Sequence, residues 1–164
     1  MRAADKNQIE ATKLLLYEFQ ADTGAVSKFG HTALHVAATK GNTKIIALLI
    51  QNGGFDINAR DAMLRTPLMM VAQNGHCDSI RLLLGHGAEI DGRNSEGLKA
   101  NDIARKYGHK TAVVIFERYE VDPKAFKEDC CADGCPMRKE VLNLSDQVMI
   151  FFIFFMGDNK TIFI

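Results

Sequence analysis

Two short runs of apolar residues separated by glycine set the pattern of the chain. The first runs from Leu34 to Ala38, and Gly41-Asn42 follows it. The second is Ile45-Ile46-Ala47-Leu48-Leu49-Ile50, closed by Gly53-Gly54. The arrangement returns one period later as Leu68 to Ala72, Gly75-His76, Leu82-Leu83-Leu84 and Gly87. Thr32 and Thr66 are 34 residues apart, and Gly75 and Gly108 are 33 apart. Apolar residues at i, i+3 and i+4 predict helices with one face that needs a partner. Thr32 and Thr66 stand before two of these patterns, where a hydroxyl can accept from an unpaired amide of the first turn. Pro67 follows at the first helical position, where its missing N–H costs nothing. Gly41, Gly75 and Gly108 are placed to end the first helix of each pair in the left-handed conformation. Ala37, Ala38 and Ala72 are small enough for helices to approach closely. One helix pair cannot cover its own apolar face, whereas stacked pairs cover each other.

A period near 33 carrying Thr66-Pro67-Leu68-Met69-Met70-Val71-Ala72, with Thr32 to Ala38 as its counterpart, resembles the ankyrin repeat. The resemblance implies an all-α fold: a solenoid of stacked helix-turn-helix units joined by β-turn or hairpin connections. Residues 1–118 divide into a partial unit at 1–26, units at 27–60 and 61–93, and a closing unit at 94–118. Residues 119–164 form a non-repeat tail, expected to be irregular and partly disordered. The partial first unit has two readings, a shortened natural cap or a piece of a longer array. The pattern departs from the family at Leu64 (usually glycine), Met69 (usually histidine), Ser79 (usually aliphatic) and Asn101 (usually leucine), so the exact turn geometry at Leu64 stays open and the helix seam at Ser79 is expected to be slightly weaker.

By resemblance, partners meet the concave surface made by the hairpin tips and first helices. Carried onto this sequence, that surface comprises Lys28, Phe29 and His31; Thr39 and Lys40; Ala62, Met63 and Arg65; Gln73 and Asn74; and Ser95, Glu96, Leu98, Lys106 and Tyr107. Phe29, Met63, Leu98 and Tyr107 are apolar or aromatic where exposure is expected, and Arg65 adds a planar donor. Aromatic residues, methionine and arginine are enriched in interface cores. Asn58 resembles the turn asparagine that is hydroxylated in some ankyrin proteins, with Asp91 as its counterpart, although both residue types also favour turns for their own hydrogen bonds. The resemblance makes His35, His76 and His109 structural.

Composition changes this picture little. Twenty basic residues balance twenty acidic ones, so charge gives no reason to expect nucleic acid as a partner. Three of four cysteines, Cys130, Cys131 and Cys135, crowd into six residues, which is not the spread of a disulfide framework. Cys131 and Cys135 make one metal-type pair without the second pair that a closed zinc site requires. No phosphate loop, no H-E-x-x-H and no paired nucleophile and histidine are present. The sequons at Asn143 and Asn159 matter only in a secreted chain, and the N-terminal sequence lacks the pattern of a secretory signal. Residues 148–156 are nine consecutive apolar residues, about half of the ~20 that span a membrane. They are expected to tuck against the last unit or pair with neighbours, or else to contact a partner or membrane surface, with a spliced or read-through end of no evolved role as the third reading. The expectation is a non-enzymatic module, without cofactor or metal, that binds another protein as a monomer in the cytoplasm, with the nucleus as an alternative. The runner-up is a regulatory or targeting segment of a larger kinase, channel or ubiquitin-ligase subunit.

Overall fold

The computed structural model describes residues 1–6, 8–17, 22–51 and 54–124. The chain divides into a unit spanning Met1–Phe126 and a second spanning Lys127–Ile164. The second lies outside the described residues, and with it the three-cysteine cluster, both sequons and the apolar run at 148–156.

Among the described residues every regular element is a helix. They pair as α1 (Arg2–Asp5) with α2 (Ile9–Tyr17), α3 (Ala33–Lys40) with α4 (Thr43–Gln51), α5 (Pro67–Asn74) with α6 (Cys77–Gly85), and α7 (Ala100–Lys106) with α8 (Lys110–Val121). First helices pack on first helices along the row α1, α3, α5, α7, and second helices on second along α2, α4, α6, α8. This is the stacked solenoid that the period predicts. The closing helix α8 runs on to Val121, past residue 118.

Local chemistry makes each pair. The Thr32 and Thr66 hydroxyls accept from the amides of His35 and Met69 at 3.4 Å. Gly41 and Gly75 close α3 and α5 with φ of 67° and 69°. Both are also pressed by the next unit: a Cβ on Gly41 would lie 2.6 Å from the His76 ring, and one on Gly75 would lie 2.4 Å from that of His109. Those rings bond backward, His76 Nε2 to the Thr39 carbonyl at 3.1 Å and His109 Nε2 to that of Gln73 at 2.9 Å. Each glycine therefore serves a turn and a seam together.

The core lies between the two rows. Leu34, Ile45, Ile46, Leu49, Leu68, Met69, Ile80, Leu82, Leu83, Leu84 and Phe116 are fully buried. Ser79 is buried too, but its hydroxyl lies 2.9 Å from that of Thr43 across the α4–α6 seam. A hydrogen bond thus replaces the aliphatic contact that usually occupies this place.

Candidate functional site: the hairpin tips and the first-helix row

Three turns, 27–31, 61–65 and 94–98, are built alike. Ser27, Asp61 and Asn94 each accept with a side-chain oxygen from the amides two and four residues on, at 2.8 to 3.3 Å. Each also donates its own amide to the carbonyl four residues on. The turn then needs a left-handed residue at its fourth position, filled by Gly30 (φ 75°), Leu64 (φ 57°) and Gly97 (φ 77°). Leu64 thus adopts the geometry its glycine counterparts take. Neighbouring tips are tied by Ala62 N–H to the Phe29 carbonyl (3.1 Å) and Ser95 N–H to that of Met63 (3.0 Å).

The expected surface residues fall on these tips and on the ends of α3, α5 and α7. Phe29, Met63 and Tyr107 are 57%, 48% and 51% exposed, and Lys28, Lys40, Ala62, Asn74, Ser95, Glu96 and Lys106 are exposed as well. Leu98, expected to be exposed, is half-buried, as are His31, Thr39, Arg65 and Gln73. Several are engaged within the chain. Lys28 holds its ammonium 4.9 Å above the Phe29 ring, Lys40 pairs with Asp5 at 3.6 Å, and Gln73 donates to the Tyr107 hydroxyl at 3.3 Å. Thr39 and Asn74 bond the carbonyls of His35 and Met70, one helical turn back. Lys106 meets Glu96 at 2.7 Å, a contact that raises the Lys106 pKa and joins a tip to the end of its own first helix.

Between the first two tips lies a polar knot that the sequence did not single out. Asp61 is 4% exposed. Burial alone would raise its pKa, but the amides of Arg65 and Met63 and the Arg65 guanidinium hold it below the ordinary carboxylate value. Arg65 Nε and Nη2 both donate to Asp61 Oδ2 at 2.8 Å. His31 Nε2 stands 3.2 Å from the same oxygen and 3.3 Å from Arg65 Nη2. The His31 ring stacks on His35 with 5.8 Å between centroids. Arg65, read from the sequence as a contact residue, spends its guanidinium on holding the tip. The signal that could have revealed Asp61 is its register with Ser27 and Asn94, three side-chain acceptors of the kind turns select.

In the connections that follow α4 and α6, Asn58 Oδ1 accepts from the Glu89 amide at 2.9 Å and so ties two successive connections together. Asp91 is exposed and meets Lys99 at 2.6 Å, a bond that lowers its pKa. Among the described residues no group of three His, Cys, Asp or Glu side chains is arranged to hold a metal ion, and no helix is long and apolar enough to cross a membrane.

Comparison with known proteins agrees with this architecture. The family model for ankyrin repeats (three copies) matches residues 1–94. Over 78 residues the chain is 41% identical to protein phosphatase 1 regulatory subunit 12A of Mus musculus, covering 48% of this chain and 8% of that protein. It is 32% identical over 111 residues to cyclin-dependent kinase inhibitor 2A of Monodelphis domestica, covering 68% and 64%. To the probable 26S proteasome regulatory subunit p28 of Saccharomyces cerevisiae it is 36% identical over 103 residues, covering 62% and 45%. The chain therefore spans less than two thirds of the length of each of these relatives. With residues 1–94 matched by the family model and four helix pairs stacked in order, the chain belongs to the ankyrin-repeat family.

Proposed function

We propose that the chain is a non-catalytic protein-binding module that seats a partner polypeptide along the strip of hairpin tips and first-helix ends. The observation that carries this reading is the combination of exposed Phe29, Met63 and Tyr107 with turns whose polar groups are already bonded internally. Large apolar side chains on a preset backbone lose little conformational entropy when a partner covers them. The names of the relatives, a phosphatase regulatory subunit, a kinase inhibitor and a proteasome regulatory subunit, support binding that modulates a partner. The same reading has the module act as a monomer in the cytoplasm or nucleus, without nucleic acid.

The test is affinity capture with the full chain beside a Phe29→Ala, Met63→Ala, Tyr107→Ala variant. These three side chains are half exposed, so the variant is expected to melt near the parent, and a defined set of proteins is expected to be lost. Equal recovery by both chains overturns the assignment. Arg65 is left intact because its removal would strip the buried Asp61 of its counter-ion.

A further inference from the structure

The three hairpin tips share one turn and differ in what stands at its fourth position. Gly30 and Gly97 hold that place without a side chain, while Leu64 carries one at φ 57°. A left-handed backbone disfavours any Cβ. On the first tip the place is also closed by packing, since a Cβ on Gly30 would lie 3.0 Å from the Ala62 amide nitrogen of the next tip. On the third it is open, with nothing within 4 Å of a Cβ on Gly97. Leucine is thus held at one tip alone where glycine would be less strained. Burial does not offset that strain, because Leu64 is 46% exposed. Strain of this kind persists where the surroundings over-determine the backbone, and such an outlier points to a role outside the fold.

The surroundings of Leu64 define that role. Met63 before it is 48% exposed and Phe29 on the first tip 57%, whereas the third tip presents Ser95, Glu96 and Gly97. The apolar part of the tip strip is therefore confined to the first two tips. Tip 61–65 lies between two others, bonded to both through Ala62 N–H to the Phe29 carbonyl and Ser95 N–H to the Met63 carbonyl. Met63 and Leu64 are thus exposed on an inner unit, whatever stands beyond either end of the array. The charges beside them are largely engaged. Arg65 meets Asp61 at 2.8 Å and Lys106 meets Glu96 at 2.7 Å. Lys28 differs: it is exposed, and among the described residues its ammonium has the Phe29 ring face, at 4.9 Å, and no carboxylate.

We infer that Leu64, together with Met63, is the apolar anchor of the tip strip, and that its occupant is an acidic, apolar peptide segment. That segment sets an aliphatic or aromatic side chain on Met63 and Leu64, with an aspartate or glutamate on the Phe29 side to meet Lys28. The inference rests on the tip strip being the binding surface, and adds to it a residue and a partner chemistry. Charge complementarity argues for the carboxylate, because Lys28 is the cation of these tips left without one. The Asp61 side chain already fixes the turn through the Met63 and Arg65 amides, so covering Leu64 orders little that was free. The Lys28 contact lies at an exposed rim, where charge selects a partner more than it tightens the complex.

The probe is a phage-displayed library of short random peptides panned on the immobilised full-length chain, with the enriched consensus peptide synthesised and titrated in solution. Enriched sequences are expected to carry Asp or Glu next to Leu, Ile, Phe or Trp. Leu64→Asn, a residue that tolerates the left-handed turn, is expected to weaken binding at least about tenfold, and Leu64→Met to retain it. Leu64→Gly should weaken binding to the same degree while raising the denaturation midpoint, which separates the loss from any loss of fold. Lys28→Gln should weaken binding about threefold and flatten its salt dependence. No enrichment, enrichment of basic or uncharged sequences, or a consensus peptide indifferent to Leu64→Asn overturns the inference. A peptide indifferent to Leu64→Asn yet lost with the Phe29→Ala, Met63→Ala, Tyr107→Ala variant overturns it alone and leaves the tip strip standing. Sedimentation of the chain without peptide adds one outcome: self-association abolished by Leu64→Asn would make a second copy the occupant and overturn the one assigned.

Discussion

His35 Nε2 lies 3.0 Å from the main-chain oxygen of Arg65, thirty residues further along the chain. Its other nitrogen, Nδ1, accepts the Thr32 N–H at 3.2 Å. Those two bonds define one tautomer, neutral, with the proton on Nε2. A fully buried ring therefore clamps the start of α3 to the next hairpin tip.

Protonation of His35 would put a second N–H against the Thr32 donor and a charge in the core. Burial accordingly lowers its pKa from the ordinary 6.5, against the opposing pull of the Arg65 carbonyl. A histidine with a depressed folded pKa keeps its stability contribution above 6.5 and loses it as pH falls below that value, because the unfolded chain takes up the proton first. Urea unfolding between pH 7.5 and 5.5 should show a decline of at most about 1.4 kcal/mol per pH unit from this group. In His35→Leu that part of the decline disappears. The variant should also lose about 1–3 kcal/mol at pH 7.5, since the Thr32 N–H loses its acceptor and the Arg65 carbonyl keeps only the Asp61 amide.

Arg65 and Asp61 give a second pH window of their own. The folded Asp61 pKa is held below 3.8, so the contribution of this carboxylate is complete above that value and is lost as pH falls through the folded pKa. Arg65→Ala leaves Asp61 a carboxylate that is 4% exposed, with its two backbone amides and His31 as remaining neighbours. A loss of about 2–4 kcal/mol at pH 7 is expected, because breaking a buried pair costs more than an exposed one contributes. Thermal melts of Arg65→Ala and Phe29→Ala side by side check this. A drop for Arg65→Ala no larger than that for exposed Phe29→Ala would show that the knot does not hold the tip.

Leu64 occupies a conformation that its register mates give to glycine, with φ at 57° against 75° and 77°. A left-handed non-glycine residue costs about 1–2 kcal/mol, and the extra unfolded-state freedom of glycine returns about 0.5–1 of that. Leu64 is 46% exposed, so little packing is lost with its side chain. Leu64→Gly is expected to stabilise the chain by about 0.5–1 kcal/mol, read as a raised denaturation midpoint with an unchanged slope. A lowered midpoint would mean that the side chain packs in solution more than its exposure indicates.

These cases show what the sequence could and could not express. Helices, glycine stops and threonine caps depend on residues within about one turn of each other, and they recur at a fixed period, so they were legible at Thr32, Gly41, Thr66 and Gly75. Leu64 was legible as a departure but not in its outcome, since the bonds from the Asp61 side chain to the Met63 and Arg65 amides impose the turn whatever stands at the fourth position. Asp61 itself escaped because its worth comes from Arg65 and His31 closing on it in space. Exposure was legible where a tip points outward, as at Phe29 and Met63. It was misjudged at Leu98, which folds back to half-burial, and Arg65 was given a contact role although its guanidinium is taken up by Asp61.

Asn101 supplies the last prediction. It holds the register of Leu34 and Leu68, which are 0% and 1% exposed, and is itself 8% exposed. Among the described residues its Oδ1 is buried without a hydrogen-bond partner. A buried acceptor deprived of water costs about 1–3 kcal/mol, whereas an apolar group of similar shape in its place removes that cost. Leucine repeats the branched outline of asparagine with greater bulk, and leucine packs at the equivalent position in the two preceding units. Asn101→Leu should therefore stabilise the chain by about 1–2 kcal/mol, while Asn101→Ala should gain less because it leaves a cavity at a buried position. Equilibrium unfolding of the three chains under one buffer condition decides the matter. A destabilised Asn101→Leu would mean that Oδ1 is bonded in solution, and that this asparagine belongs to a polar contact rather than to an imperfect core.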